Sequence, residues 1–288
     1  MDYRQVMSRH GVSWQAHRGG GGHERPDNTL ASARYGWDLG GIPELDVRRT
    51  ADGVMVCLHD ATLARTTTAP AGLRGVPLSG LTLDQIKPWD AGAPFDPCYA
   101  GERVPTLAEL FAELAGRPER SVYLDLKDVD LPDLARLIAT HGVGGQLIVC
   151  SPLASQCQAM RALGEGLRTM LWLGGSRECI LDAFATCGRQ GFAGLDQVQF
   201  HLNDAAGAPE WPWQITRADL AAALAVCQLA QVDLEVLPWH FATAGIHALL
   251  DLGIRWFATD EPRRFAEAVA GWGVTGPAPG GGVVGAFG

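Results

Sequence analysis

The chain has 288 residues, 47% of them hydrophobic and 19% charged, which are the proportions of a globular protein and exclude disorder along the whole chain. Asp plus Glu number 32 against 23 Lys plus Arg, a formal net charge of −9. That balance argues against general binding of nucleic acid or of an anionic membrane surface, so an anionic substrate needs a locally positive site.

The first ten residues lack the apolar core of a secretory leader, and no apolar run reaches the roughly 18 residues of a transmembrane helix. Seven cysteines (57, 98, 150, 157, 179, 187 and 227) are scattered, with no Cys-x-x-Cys pair. They read as reduced thiols of a cytoplasmic protein and make a thiolate zinc site improbable. Strands are expected at Ser13–Ala16, Glu44–Val47, Val122–Leu126, Gln146–Cys150, Arg168–Leu173, Leu195–Phe200, Asp233–Leu237 and Arg255–Ala258. Helical patterns lie between them, from Thr29–Leu39 to Glu261–Trp272. Strand and helix in alternation imply parallel strands with crossover helices. Eight such units predict an α/β fold, a TIM (β/α)8 barrel, with an open doubly wound sheet as the runner-up. A short strand, Val54–Leu58, opens a Pro- and Gly-rich stretch over about 52–103 that lacks a long helix. It reads as a small insertion after the second strand, on the loop side of the barrel. Residues 1–272 then form a single domain, and 273–288 a Gly/Pro-rich tail expected to be poorly ordered.

Such barrels carry their chemistry at the carboxyl ends of the strands. His17 and Arg18 end the first strand, Glu44 and Asp46 lie in the second, His59 follows the short hairpin strand, and Asp125 and Lys127 end the next. Residues i and i+2 of a strand share a face, so Glu44 and Asp46 pair there, as do Asp125 and Lys127. If those faces point into the barrel mouth, three carboxylates converge and repel one another, and a divalent cation resolves the repulsion. All-oxygen ligation suits Mg²⁺, Ca²⁺ or Mn²⁺ better than Zn²⁺. Metal, Lys127, Arg18 and two histidines would make a positive cleft suited to a phosphate group, with the histidines sharing acid and base work. Each element alone has a bland reading: a Glu-x-Asp on a strand is also a solvated face, and a strand-end His also a plain hydrogen-bonding residue.

Taken in order, His17-Arg18-Gly19, Pro26-Asp27-Asn28-Thr29, Glu44-Leu45-Asp46-Val47, Thr50-Ala51-Asp52-Gly53, His59-Asp60 and Arg65-Thr66-Thr67 resemble the glycerophosphodiester phosphodiesterase family. That family's pattern is HRG, PENT, E-x-D-V, T-x-D-G, HD and RT. Val104-Pro105-Thr106-Leu107, Asp125-Leu126-Lys127 and Thr259-Asp260-Glu261-Pro262 agree further on. The likeness is dense over residues 13–127, sparse from 128 to 254, and returns briefly after that.

The resemblance implies a TIM barrel, one divalent cation and hydrolysis of a small-molecule phosphodiester to an alcohol and a phosphomonoester. It implies catalytic roles for His17 and His59, metal ligation by Glu44, Asp46 and Asp125, phosphate binding by Arg18 and Lys127, and a supporting role for Asn28. The sequence departs from the family at Asp27 (usually Glu), at Asp125 (usually Glu) and at Pro43, where a strand irregularity is expected. The Trp-Thr-x-Asn stretch that the family often has near its seventh strand is replaced by Leu237-Pro238-Trp239-His240, and Trp239 is the candidate substrate contact there. Three other readings stay open: a hydrolase of a different phosphodiester, a lyase similar to sphingomyelinase D that forms a cyclic phosphate, and a binding module without catalysis. His201 reads as structural, Asp260 as the cap of the final helix, and Trp211 and Trp213 as part of an exposed aromatic loop.

Overall fold

The computed structural model describes residues 2–205 and 210–273, so the predicted tail lies outside it from residue 274 onward. Among the described residues there are nine strands: β1 (Ser13–Ala16), β2 (Ile42–Arg49), β3 (Met55–Cys57), β4 (Val122–Asp128), β5 (Leu147–Ser151), β6 (Arg168–Leu173), β7 (Gln197–Leu202), β8 (Asp233–Pro238) and β9 (Trp256–Thr259). Every strand except β3 pairs in parallel, in the order β1-β9-β8-β7-β6-β5-β4-β2, and β2 pairs back onto β1. Eight parallel strands therefore close into the predicted TIM barrel. The short β3 is antiparallel to β2 and starts the insertion.

Alternation along the strands decides what faces inward. On β4, Leu124 and Leu126 pack outward among the helices, while Tyr123 points into the barrel against Ile148, Cys150 and Met170. Between barrel and helices the core is aromatic and aliphatic. Trp14, 1% exposed, packs at a tilt against Phe265 at 5.4 Å. Burying a large apolar side chain of this kind stabilises the fold by roughly 1.5–3 kcal/mol. Gly41 is required here, because a Cβ would fall 2.6 Å from the Trp14 ring. At the amino ends of the strands, Arg168 pairs with Asp233 at 2.8 Å and lies over Trp256.

The helix Leu30–Asp38 starts as predicted at Thr29, whose hydroxyl accepts from the Ser32 N–H at 3.1 Å while the Ser32 hydroxyl accepts from the Thr29 N–H. A helix not read from the sequence, Tyr3–His10, is capped by Asp2 and ends on left-handed Gly11. The insertion has its own small core of Val56, Leu58, Leu63, Leu78, Leu81 and Ile86. The expected irregularity at Pro43 is absent: β2 runs through Pro43, and the register shift falls between Val47 and Arg48. Pro43, which has no N–H to donate, pairs with the last residue of β1 at the end of that short ladder, where the missing donor interrupts little. Among the described residues, no helix is long and apolar enough to cross a membrane.

Candidate active site

His17 follows β1 directly, in a tight turn where Arg18 (φ +52°) and Gly19 (φ +76°) are left-handed. A Cβ at Gly19 would fall 2.7 Å from the Ser32 Cβ, so the turn sits flush on the following helix. Because β9 pairs with β1, the residue after β9 lies beside His17. That residue is Asp260, whose Oδ1 is 2.6 Å from His17 Nδ1. Burial pulls the His17 pKa down, but the bond and charge of Asp260, with Glu44 adding to them, reverse the shift and raise it. The loop after Gly19 packs on the same pair. Its Gly21 (φ +64°) leaves no room for a side chain, since a Cβ would lie 2.6 Å from the Asp260 Cα. Glu24 ties the loop down by accepting from the Tyr35 hydroxyl at 2.6 Å and the Arg263 N–H at 3.0 Å.

His59 follows β3, and its Nδ1 lies 2.8 Å from Asp60 Oδ1. Arg65 holds Asp60 through Nε at 2.7 Å and Nη2 at 3.0 Å. These bonds to Arg65, opposed by burial and helped by His59, bring Asp60 down to about 2. Arg65 also reaches Asp27 at 2.9 Å, and Asp27 in turn lies 3.6 Å from Arg18. Each histidine thus has one ring nitrogen committed to a carboxylate and its other nitrogen free for chemistry.

The three acids stand on neighbouring strands in register, with Glu44 beside Tyr123 and Asp46 beside Asp125. Each offers one oxygen to a common centre, these atoms all lying within 4.8 Å of one another. Asn28, left-handed at φ +58°, clamps Asp46 twice: its Nδ2 donates to Oδ2 at 2.9 Å and its Oδ1 accepts from the Asp46 N–H at 2.8 Å. Glu44 Oε2 accepts from the Arg18 N–H at 2.8 Å, while Oε1 is buried without a partner. Lys127 Nζ is 2.6 Å from Asp125 and 3.1 Å from Asp46. Burial and then Asp46 push Glu44 up to about 8. Burial also raises Asp125, against the pull of Lys127. Asp46 ends below its ordinary range, because Lys127, His59 and Asn28 outweigh its burial. A buried, orphaned carboxylate oxygen aimed at two further acids fits a hard cation held by oxygen ligands.

The far wall of the cleft is aromatic and neutral. Trp172 of β6 stacks on His201 of β7 at 8° and 5.1 Å, and donates from Nε1 to Asp125 Oδ1 at 3.2 Å. Trp239 stands edge-on to both His201 (5.3 Å) and His17 (5.7 Å). The cavity enclosed is about 190 Å³ and is lined by His17, Arg18, Glu44, His59, Asp125 and Lys127 on one side and by Trp172, His201, Leu237 and Trp239 on the other. A larger hollow of about 480 Å³, on the barrel flank near Arg49 and Asp133, contains none of these groups.

All the site residues expected from the sequence therefore meet at one mouth: Glu44, Asp46, Asp125, His17, His59, Arg18, Lys127 and Trp239, with Asn28 beneath them. Three expectations are corrected. Asp260 binds His17 and does not cap the final helix, where the first-turn Arg263 N–H donates to Glu24 from the loop. His201 lines the cleft. Trp211 and Trp213 lie in a loop as expected but not as an exposed pair, since Trp211 is half-buried and packs edge-on to Trp213, which is 3% exposed. Trp172 and Gln199 were missed, because single polar or aromatic residues in apolar runs carry no signal of their own.

His201 makes a prediction about stability. Burial, with the charges of His17 and Lys127, lowers it to about 4 from an ordinary 6.5. Between those values the unfolded chain binds the proton and the folded chain does not, so stability falls as pH drops from 6.5 to 4. The loss is on the order of 2–3 kcal/mol. Urea denaturation at pH 7 and pH 4.5 is expected to show a steeper loss for the wild type than for His201→Phe, and parallel losses would refute it.

The fold and its mouth define a TIM barrel whose acids, histidines and cations gather at the carboxyl ends of the strands. Residues 17–264 match the model of the glycerophosphoryl diester phosphodiesterase family, and the chain belongs to that family. It is 42% identical over 114 residues to a glycerophosphodiester phosphodiesterase of Caldanaerobacter subterraneus, covering 39% of this chain and 44% of that one. It is 37% identical over 119 residues to glycerophosphodiester phosphodiesterase 1 of Bos taurus, covering 40% of this chain and 34% of that one. The matched stretch thus spans less than half of either relative. A glycerophosphodiester phosphodiesterase structure from Agrobacterium tumefaciens superposes with a TM-score of 0.71 at 24% identity, over 89% of this chain and 99% of that one. A phosphodiesterase from Oleispira antarctica, solved with the product sn-glycerol 3-phosphate, superposes with a TM-score of 0.69 at 20% identity, over 89% and 96%. At those identities the likeness is one of fold.

Proposed function

We propose that the chain hydrolyses glycerophosphodiesters to an alcohol and glycerol 3-phosphate. The observation that carries this reading is the pair of histidines, each held by its own carboxylate, beside three buried acids that converge with one oxygen unsatisfied. The family and the names of the matched relatives support the substrate class. Residues 1–272 serve as one domain, with the insertion at about 52–103 supplying His59.

Glu44, Asp46 and Asp125 would hold one divalent cation, Mg²⁺ or Ca²⁺ with Mn²⁺ as a further candidate. When bound, it neutralises charge on a non-bridging phosphate oxygen. Arg18 and Lys127 bind the remaining phosphate oxygens from the same side. One histidine takes a proton from the attacking water, or from a neighbouring substrate hydroxyl whose cyclic phosphate water then opens, and the other gives a proton to the departing alkoxide. Asp260 and Asp60 fix the ring orientations, so the free nitrogens face the phosphate. Asn28 holds Asp46 in line.

The test is turnover of bis(p-nitrophenyl) phosphate and glycerophosphocholine side by side, after EDTA and after return of Mg²⁺, Ca²⁺ or Mn²⁺. Metal-restored turnover of both, releasing glycerol 3-phosphate, is expected. Turnover of the synthetic diester alone would move the natural substrate to another diester. A cyclic phosphate as final product would make the protein a lyase, and no turnover with any ion would overturn the reading.

A further inference from the structure

We propose that Trp172 is a positioning residue for the cation site: its indole N–H holds the Asp125 carboxylate in the orientation that offers an oxygen to the same centre as Glu44 and Asp46. The proposal rests on the cation reading above, and it is carried by the uneven way the three acids are tied down. Asp46 is clamped twice by Asn28, and Glu44 takes the Arg18 N–H. Asp125 has Lys127, two residues on along its own strand, at 2.6 Å. Lys127 also reaches Asp46 at 3.1 Å, so its ammonium is shared and fixes neither carboxylate alone. Among the described residues, the one tie that Asp125 has from another element is Trp172, whose Nε1 donates to Oδ1 at 3.2 Å.

Trp172 can hold Asp125 because it is itself held. It reaches over β5, since Asp125 pairs with Cys150 and Cys150 with Met170, two residues before Trp172. Its ring lies flat on His201, 8° from parallel with the centroids 5.1 Å apart. His201 is fixed in turn: its Nε2 faces Gln199 Oε1 at 3.1 Å, and Gln199 Nε2 donates to Gln15 Oε1 at 3.2 Å. Gln199 is 2% exposed and Gln15 3%, so this support is anchored in the barrel interior. A Cβ at Gly174 would lie 3.0 Å from His201 Nδ1 and 3.6 Å from Trp172 Cζ3, so the backbone there packs close against the edge of the stack. An indole that cannot turn presents its single N–H at one place, and the carboxylate that accepts it is fixed there as well. Groups that hold a metal ligand in this way are typically worth about 10–100-fold in metal affinity.

The test is Mn²⁺ affinity, read from the EPR signal of the free ion, in protein first stripped with EDTA. Trp172→Phe keeps a ring to stack on His201 but removes the donor, and it should weaken Mn²⁺ binding by about 10–100-fold. Replacing Trp172 by benzothienylalanine, which has the shape of the indole without its N–H, should give a similar loss with the metal-free melting temperature unchanged. Trp239→Phe alters the same wall at a ring that contacts His17 and His201 instead of an acid, and should bind Mn²⁺ as the wild type does. In an Asp125→Ala background, Trp172→Phe should add little, because the carboxylate it acts through is gone. Wild-type affinity in the benzothienylalanine protein, an equal loss in Trp239→Phe, or losses that add in the double variant would overturn the proposal. Turnover of glycerophosphocholine by the wild type is read separately. Its absence alongside these Mn²⁺ affinities would fail the hydrolase reading and leave the role of Trp172 in place, whereas a wild type that binds no Mn²⁺ would defeat both.

Discussion

Replacing His17 by Ala is expected to lower kcat for a phosphodiester by about 10²–10⁴, the usual worth of a positioned acid or base, with the melting temperature little changed. His59→Ala should do the same. The two rings stand on separate supports, one on Asp260 and the other on Asp60, so neither can take over the proton transfer of the other. Asp260→Asn refines the test. It keeps a hydrogen-bonding group beside Nδ1 but removes the charge that raises His17. Activity should fall less than in His17→Ala, and the limb of the pH–rate profile that reports His17 should move to lower pH. Full activity in either alanine variant with a normal circular dichroism spectrum would defeat the two-histidine assignment.

The second large effect concerns the three acids. Chelation should abolish turnover, and saturating divalent cation should raise the melting temperature by roughly 5 °C, as expected of a ligand at about a hundredfold its Kd. The physical reason is uneven charge compensation. Asp46 and Asp125 share the Lys127 ammonium, whereas Glu44 Oε1 has no partner. Glu44→Gln removes a penalised buried charge, so without metal this variant should be at least as stable as the wild type at pH 8. It should also lose both the thermal response to the ion and the activity. A calorimetric scan of both proteins with and without Mg²⁺ or Ca²⁺ decides the matter: an undiminished metal response in Glu44→Gln would remove Glu44 from the ligand set.

The catalytic side of the cleft was legible because its residues cluster along the chain and obey strand periodicity. Glu44 with Asp46, and Asp125 with Lys127, could be placed on shared faces once eight strand–helix units implied a closed barrel. Asp260 was not legible. It lies 243 residues from His17 and meets it only because β9 closes against β1. Read locally, an Asp shortly before a Pro looks like a helix cap. The interior polar residues Gln15, Gln197, Gln199 and Glu235 were hidden for a different reason. Alternating polar residues on a strand normally signal a solvated face, and here that face is the inside of the barrel, where Tyr123 donates to Gln197 at 2.9 Å. The helix Tyr3–His10 escaped notice because only Val6 and Met7 are buried on it, too few to show a period.

The neutral wall has a practical consequence for changing what the protein accepts. Trp172, His201, Leu237 and Trp239 come from β6, β7, β8 and the turn that follows it, while the three acids, His17 and His59 come from the opposite arc of the ring. A small mutant library confined to those four positions would sample new alcohol groups without altering any acid or catalytic histidine. Trp172 is the exception to handle with care, since its indole N–H also anchors Asp125. A barrel divided in this way lets selection redraw the guest list on one arc while the reaction stays put on the other.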